Sequence, residues 1–377
     1  MKRKLLWAVK LLCLILALGI SVGFLQKRVF YHADHNSQRI KGFYLEDPQS
    51  LDVVFLGASE VYSDIAPGYA YARDGITSYL FATQANTILN YKSQLRNVLS
   101  RQPDALIVIE LNGVFYEDED LTKEANYRNY IDHVPLDAVK AEWVAENGTD
   151  NPLEYLFPFI KYHGNWSDLN AEKKFRKTID ADRERGYTYL KGVLNWPFAF
   201  NAPALSLNSQ LLENAGNKQP LNATAEAGLR DLLEYCRDEG LDNVVFARFP
   251  HIVTHTTYDR YEQNNTVAEI VEEYGFDYLN FERDIALTGL DETTDFYNPD
   301  HLNVHGQQKF TAFLTDYLKE NYGLTSHTLT DDQQEEWEIC ADYYEAYVAY
   351  NEDMMANGNF VELSEDCDLI EELQDYL

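Results

Sequence analysis

A serine and a histidine set far apart in the chain are the residues best placed to do chemistry. Ser59 ends the run Asp52-Val53-Val54-Phe55-Leu56-Gly57-Ala58-Ser59, an apolar strand followed by a glycine turn. His301 stands in Asn298-Pro299-Asp300-His301-Leu302-Asn303, just before an amphipathic stretch. A hydroxyl is a weak nucleophile until a neighbouring imidazole takes its proton, so a pair that meets in the fold can transfer acyl groups. The elements that carry them must therefore converge at one edge of the molecule.

Apolar runs at Asp52–Leu56, Thr77–Thr83, Ala105–Leu111, Val244–Phe249 and Phe276–Phe281 read as strands. Helical spacing runs through Asn86–Ser100, Thr224–Arg237 (with Thr224 as cap), Val267–Tyr274 and Val304–Tyr322, the last opened by Asn303 and stopped by Gly323. This alternation predicts an α/β fold, a three-layer doubly wound parallel sheet whose strands are apolar throughout. Sites in such sheets lie at the carboxyl ends of the strands. Ser59 and Asn112 follow strand ends, and so does the loop carrying His301. His251, after Arg248-Phe249-Pro250, follows another and is a candidate pocket residue.

The chain divides into four parts. Residues 1–28 begin MKRK, then run apolar from Leu5 to Leu25 with only Lys10 interrupting, and end Gln26-Lys27-Arg28. About 20 apolar residues span a bilayer, whereas a signal peptide's apolar core is about 7–15 residues before a small-residue cleavage site. The length of the run and the lack of an A-x-A site predict an uncleaved single-pass membrane anchor; a signal peptide is the rival. Lys2, Arg3 and Lys4 would hold the N-terminus in the cytoplasm and the remainder outside. A polar connector follows over 29–50, then the α/β domain over 51–324, then an acidic tail over 325–377, helical around Gln333–Met354. Within the domain, residues 115–220 break the rhythm. They are rich in aromatics (Tyr155, Phe157, Phe159, Trp166, Trp196, Phe198), with a charged helical stretch near Leu169–Arg185. They read as an insertion, either a cap over the site that offers His163 to the pocket or a structural embellishment.

Composition narrows the function further. A hydrophobic content of 45% supports a sizeable core. The formal net charge is −31 and no Lys or Arg follows Lys319, so nucleic acid is excluded as a partner. Cys13 lies in the apolar run, and Cys236, Cys340 and Cys367 do not make a disulfide framework, although one bridge such as Cys340–Cys367 stays open. No metal-ligand spacing is visible and no cofactor is implied.

Gly57-Ala58-Ser59 after its strand resembles the first block of the SGNH hydrolase family. Ala82-Thr83-Gln84-Ala85-Asn86-Thr87 is similar to the second block, with Ala85 in the place of the glycine whose N–H meets the oxyanion. Gln102-Pro103-Asp104 through Asn112-Gly113 resembles the third, whose asparagine donates to the same oxygen. His301 with Leu302 and Asn303 resembles the last block, D-x-x-H, but Asn298 stands where the family has aspartate. The resemblance covers roughly residues 50–112 and 240–322 and implies a flavodoxin-like sheet. It implies Ser59 as nucleophile, His301 as base and Asn298 as its orienter, with the Ser59 and Ala85 N–H groups and the Asn112 amide forming an oxyanion hole. Asp300 or Asp295 would supply the missing acid by another route.

Within that family, an anchor, an external domain, a long insertion and a DHLN last block resemble the surface-polymer branch, which includes teichoic acid D-alanyl-transfer and alginate O-acetylation proteins. The resemblance implies an extracytoplasmic serine esterase or O-acyltransferase acting on a cell-surface glycan or polymer, beside an integral membrane acyltransferase. The alternative is a catalytically weakened relative that binds such a polymer, or a partner in its modification complex.

Overall fold

The computed structural model describes residues 2–28, 35–147, 150–164, 188–199, 205–208, 216–357, 373 and 376–377. Its centre is a five-stranded parallel sheet of β1 (Val53–Gly57), β2 (Ser78–Ala82), β3 (Leu106–Glu110), β4 (Val244–Arg248) and β5 (Tyr278–Asn280), in the order β2-β1-β3-β4-β5. All five sequence-predicted strands are present: β1 is shifted by one residue to end at Gly57, and the other four are trimmed at one or both ends. Alternate residues of each strand serve opposite faces. Val54, Leu56, Ile107 and Ile109 pack on one side, against α5 (Ile88–Leu99), α6 (Ala223–Asp238) and α7 (Tyr258–Glu273). Val53, Phe55, Val108 and Val245 pack on the other, against α3 (Ser59–Asp64), α4 (Pro67–Asp74), α8 (Val304–Tyr322) and α9 (Asp331–Asn357). The result is a doubly wound sheet with helices on both faces. Its chain path reverses direction between β1 and β3, and the crevice outside their carboxyl ends is where such sheets bind ligands.

Helix α1 (Lys2–Arg28) contains the stretch Arg3–Phe24, long and apolar enough to cross a membrane and unburied by the rest of the chain. A helix of this kind near the N-terminus is compatible with a membrane span or with a signal sequence.

Part of the expected connector is folded. Helix α2 (His35–Phe43) buries Asn36, Arg39, Ile40 and Phe43. Arg39 Nε donates to the Gly192 carbonyl at 2.9 Å, Nη1 donates to the Ala82 carbonyl at 3.2 Å, and the guanidinium lies 3.8 Å from the Tyr62 ring centre. Its polar composition mimics a linker because its buried groups are hydrogen-bonding ones. The same reason moves the start of α7 forward to Tyr258, since Glu262, Asn264 and Asn265 are buried polar residues. The cap of α6 is Asn222, not Thr224: its side chain accepts from the Thr224 and Ala225 N–H groups. Helix α8 is capped by Asn303 and stopped by left-handed Gly323, as its sequence signals predict. Cys236 and Cys340 are buried free thiols, and Cys367 and the stretch 169–185 lie outside the described residues.

The tail and the insertion are tied to the body by one buried cation. Lys191 Nζ donates to both Glu46 oxygens, at 2.8 and 2.9 Å, and to Glu336 Oε1 at 2.8 Å. Lys191 and Glu46 are both buried. Lys191 therefore fastens the segment after α2, the end of the insertion and α9 to one another. Removing one partner of a buried pair leaves the other as an uncompensated charge. Lys191→Met is expected to lower unfolding free energy by about 3–5 kcal/mol, read from urea titration of circular dichroism.

Candidate active site

Ser59 is the first residue of α3, at the tip of β1, and is half-buried. The approach to it demands glycine. Gly57 has φ +154°, and a Cβ there would lie 2.7 Å from Val61 Cγ2 and 3.0 Å from Glu110 Cβ. The loop after β2 is fastened to this turn by Asn86, whose Nδ2 donates to the Gly57 carbonyl at 2.9 Å. Ala85 in that loop has φ +49°, a conformation that glycine adopts freely and that costs another residue about 1 kcal/mol.

Asn112 follows β3. Its N–H donates to the Glu110 carboxylate at 2.9 and 3.0 Å, and its Oδ1 accepts from Arg248 Nη1 at 2.6 Å. That bond fixes the amide's orientation and leaves Nδ2 as the donor that can serve a ligand.

His301 sits on a two-stranded hairpin, β6 (Phe296–Asn298) with β7 (His301–Leu302). The hairpin is pinned to the helix that begins with Ser59, because the Leu302 N–H donates to buried Asp64 Oδ1 at 2.9 Å. It is pinned to the loop after β4 by the Ile252 N–H, which donates to the Pro299 carbonyl at 2.8 Å. Tyr297 stacks on the imidazole, with centroids 5.2 Å apart and planes within 4°. Asn298 Oδ1 accepts the Asp300 N–H at 2.8 Å and lies 2.9 Å from His301 Nδ1. An oxygen that already accepts a backbone N–H is an acceptor toward the ring too, which assigns the proton to Nδ1. Nε2 then carries the lone pair; it is enclosed and has no hydrogen-bond partner among the described residues. Burial lowers the His301 pKa from its ordinary value, with the negative charges of Glu60 and Asp300 pulling it back and His251 opposing them. The imidazole is thus neutral at neutral pH.

Glu60, which the sequence reasoning passed over, is buried beside Ser59. Ser59 Oγ donates to its Oε2 at 3.4 Å, and His251 Nε2 lies 3.6 Å from its Oε1, just beyond hydrogen-bond length. His251 Nδ1 bonds the Phe249 carbonyl at 2.8 Å. Burial pushes the Glu60 carboxyl up, but His251, His301 and Arg248 together outweigh it and hold it below the usual carboxylate range. Glu110 goes the other way: burial and the Glu60 charge push it up, against Arg248.

The structure gathers Ser59, His301, Asn298, Ala85, Asn112 and His251 at the carboxyl edge of the sheet. Ser59 and His301 share no hydrogen bond, since the hydroxyl is turned to Glu60. Asp295 does not supply the missing acid. Its carboxylate is committed to Lys309 Nζ, at 2.7 and 2.9 Å, and to the Asp291 N–H. Asp300 approaches through its backbone, and its carboxylate acts on His301 only through its charge. His163 is exposed and bonded to the Ile160 carbonyl at 2.6 Å, a local contact. Of the insertion, residues 188–199 flank α3. The Leu194 N–H donates to the Tyr62 carbonyl at 3.0 Å, and Phe198 packs edge-on against Tyr297 at 5.7 Å.

No model of a known protein family matches the sequence. No curated protein matches it either.

The tautomer assignment has a direct spectroscopic test. ¹⁵N-detected NMR is expected to show His301 protonated at Nδ1, titrating below the ordinary histidine value of about 6.5. Because the folded value is depressed, the stability tied to this group is complete above the unfolded pKa and is lost as pH falls through the folded one. A proton on Nε2 would contradict the assignment.

Proposed function

We propose that the chain is a serine esterase or O-acyltransferase of SGNH type, held at the membrane by α1 with its domain outside the cytoplasm. Its substrates would be O-acyl groups of a cell-envelope or exported polysaccharide. One observation supports this most: a neutral imidazole on the hairpin before α8, oriented through Nδ1 and carrying an unpaired Nε2, fastened to the helix that begins with Ser59. The strand order, and the places of Ser59 after β1, Ala85 after β2 and Asn112 after β3, are those that the four sequence blocks lead one to expect of that family.

The chemistry runs as follows. Ser59 Oγ attacks the acyl carbonyl while His301 Nε2 takes its proton. The oxyanion receives the Asn112 Nδ2 amide and the Ala85 and Ser59 N–H groups. The last of these is at the first position of α3, where no intrahelical acceptor exists. His301 returns the proton to the leaving alcohol, and a polymer hydroxyl or water then attacks the acyl-Ser59. Unliganded catalytic hydrogen bonds are commonly long and tighten with substrate, so the Ser59–Glu60 bond is compatible with this path. An integral membrane acyltransferase beside α1 would supply the acyl group. The same Ser59–Glu60 bond, together with uncharged Asn298, favours a second reading, in which the site binds the polymer without turnover.

Fluorophosphonate labelling of the full-length protein, with p-nitrophenyl acetate hydrolysis beside it, separates the two. The enzyme reading expects labelling that Ser59→Ala abolishes. It also expects Asn112→Ala to cut turnover by about 10²–10³. A well-folded parent protein that neither labels nor hydrolyses would leave the binding reading standing.

A further inference from the structure

We propose that Glu60 is a positioning residue which supplies, from the turn beside the nucleophile, the negative charge that position 298 lacks. The inference rests on the Ser59 chemistry above. In that chemistry His301 becomes a cation as the serine proton arrives, and a carboxylate is what ordinarily balances it; losing that carboxylate elsewhere costs about 10⁴ in rate. Asn298 orients the ring and sets its tautomer, but it carries no charge.

Among the described carboxylates near the imidazole, Glu60 is the one suited to the task. Asp295 is neutralised by Lys309. Asp300 is half-buried, where solvent weakens its field. Glu60 is buried, next in the chain to Ser59, with one oxygen toward the serine hydroxyl and the other toward His251. The groups facing it are His251 from the loop after β4, His301 from the hairpin, Arg248 from β4 and Glu110 from β3. His301 in turn is faced by Glu60, Asp300 and His251, and Glu60 has the largest charge effect of the three. Glu60 is not itself the base, because a carboxyl held below its usual range accepts a proton less readily than the imidazole does. Its part leaves the atom balance unchanged. The proton moves from Ser59 Oγ to His301 Nε2, the Oγ–carbon bond forms, the carbonyl electron pair moves to oxygen, and Glu60 gains and loses no proton.

The test is the second-order rate of fluorophosphonate labelling of Ser59 in the full-length protein in detergent, followed across the imidazole titration range. Glu60→Gln is expected to label slower by about tenfold or more, with the acid limb of its pH profile displaced to lower pH. The displacement follows because protonated His301 has lost its main counter-charge. Glu60→Asp, which draws the carboxylate back, should change both readouts in the same direction by less. Asn298→Asp should restore more activity in the Glu60→Gln background than it adds to the parent. Parent-like rate and pH midpoint in a folded Glu60→Gln overturn the proposal, as does an equal gain from Asn298→Asp in both backgrounds. If Glu60→Gln does not fold, parent-like values in Glu60→Asp overturn it. Failure of the parent to label at Ser59 would instead reject the acyl chemistry itself.

Discussion

The site is organised around one buried guanidinium. Arg248, at the end of β4, donates to Asn112 at 2.6 Å and to Glu282 at 3.2 Å, lies 3.5 Å from Glu110, and covers the Phe115 ring at 4.7 Å. Glu60 completes a set of three carboxylates around it, and one cation cannot balance three anions in a medium of low polarity. Glu282 is supported by a second donor, Asn264 Nδ2, at 2.8 Å. Burial and the Glu60 charge push Glu110 up, while His251, His301 and Arg248 hold Glu60 below the usual carboxylate range. The arrangement favours negative charge beside Ser59 over negative charge beneath Asn112. Buried ions seldom add net stability, and ionisable groups with strongly displaced pKa values cluster at functional sites.

The remaining architecture keeps this cluster in register. Asp64 at the end of α3 accepts the Leu302 N–H, which ties the helix that begins with Ser59 to the strand that carries His301. Gln307 of α8 donates to the Ser63 and Ile65 carbonyls at 2.9 and 3.1 Å, and is itself held by the Tyr344 hydroxyl of α9 at 2.8 Å. Tyr347 of the same helix donates to Asn195 Oδ1 at 2.9 Å, and Asn195 Nδ2 reaches the Ser63 carbonyl at 3.5 Å. The acidic C-terminal helix is therefore a buttress for α3.

What could be read in the sequence follows from where hydrophobicity is informative. β1 to β5 were visible as apolar runs, and the ends of α8 through Asn303 and Gly323, because in each case local composition and structure agree. α2 was not, because Asn36, Ser37, Gln38 and Arg39, which are buried beside Ile40 and Phe43, resemble linker residues until their partners are known. Ser59, His301, Asn298 and Asn112 were accessible as motif positions at strand ends. Glu60, Glu110 and Arg248 were missed, although Ala105–Glu110 and Val244–Arg248 each carry the signal, a charged residue closing an otherwise apolar strand. In a parallel sheet that position faces the ligand crevice. Glu60 offered no such signal; only the pairing of β1 with β3 brings it against Glu110 and Arg248.

On the proposed chemistry, the site divides between two residues what an aspartate does alone. Asn298 sets direction: its oxygen, already occupied by the Asp300 N–H, can only accept from the ring, and so it holds Nε2 unprotonated. Glu60 sets the energy of the cation without touching Nδ1. The division has a consequence for catalysis. The Glu60 charge raises the basicity of the imidazole, as an aspartate bonded to Nδ1 would, while burial keeps the resting ring neutral. The Glu60 field therefore counts most when the serine proton arrives and the ring becomes charged. An interaction that is stronger in the transition state than in the ground state is the kind that accelerates the chemical step. A carboxylate fixed under the nucleophile meets that requirement, and one tied to a lysine, as Asp295 is, does not.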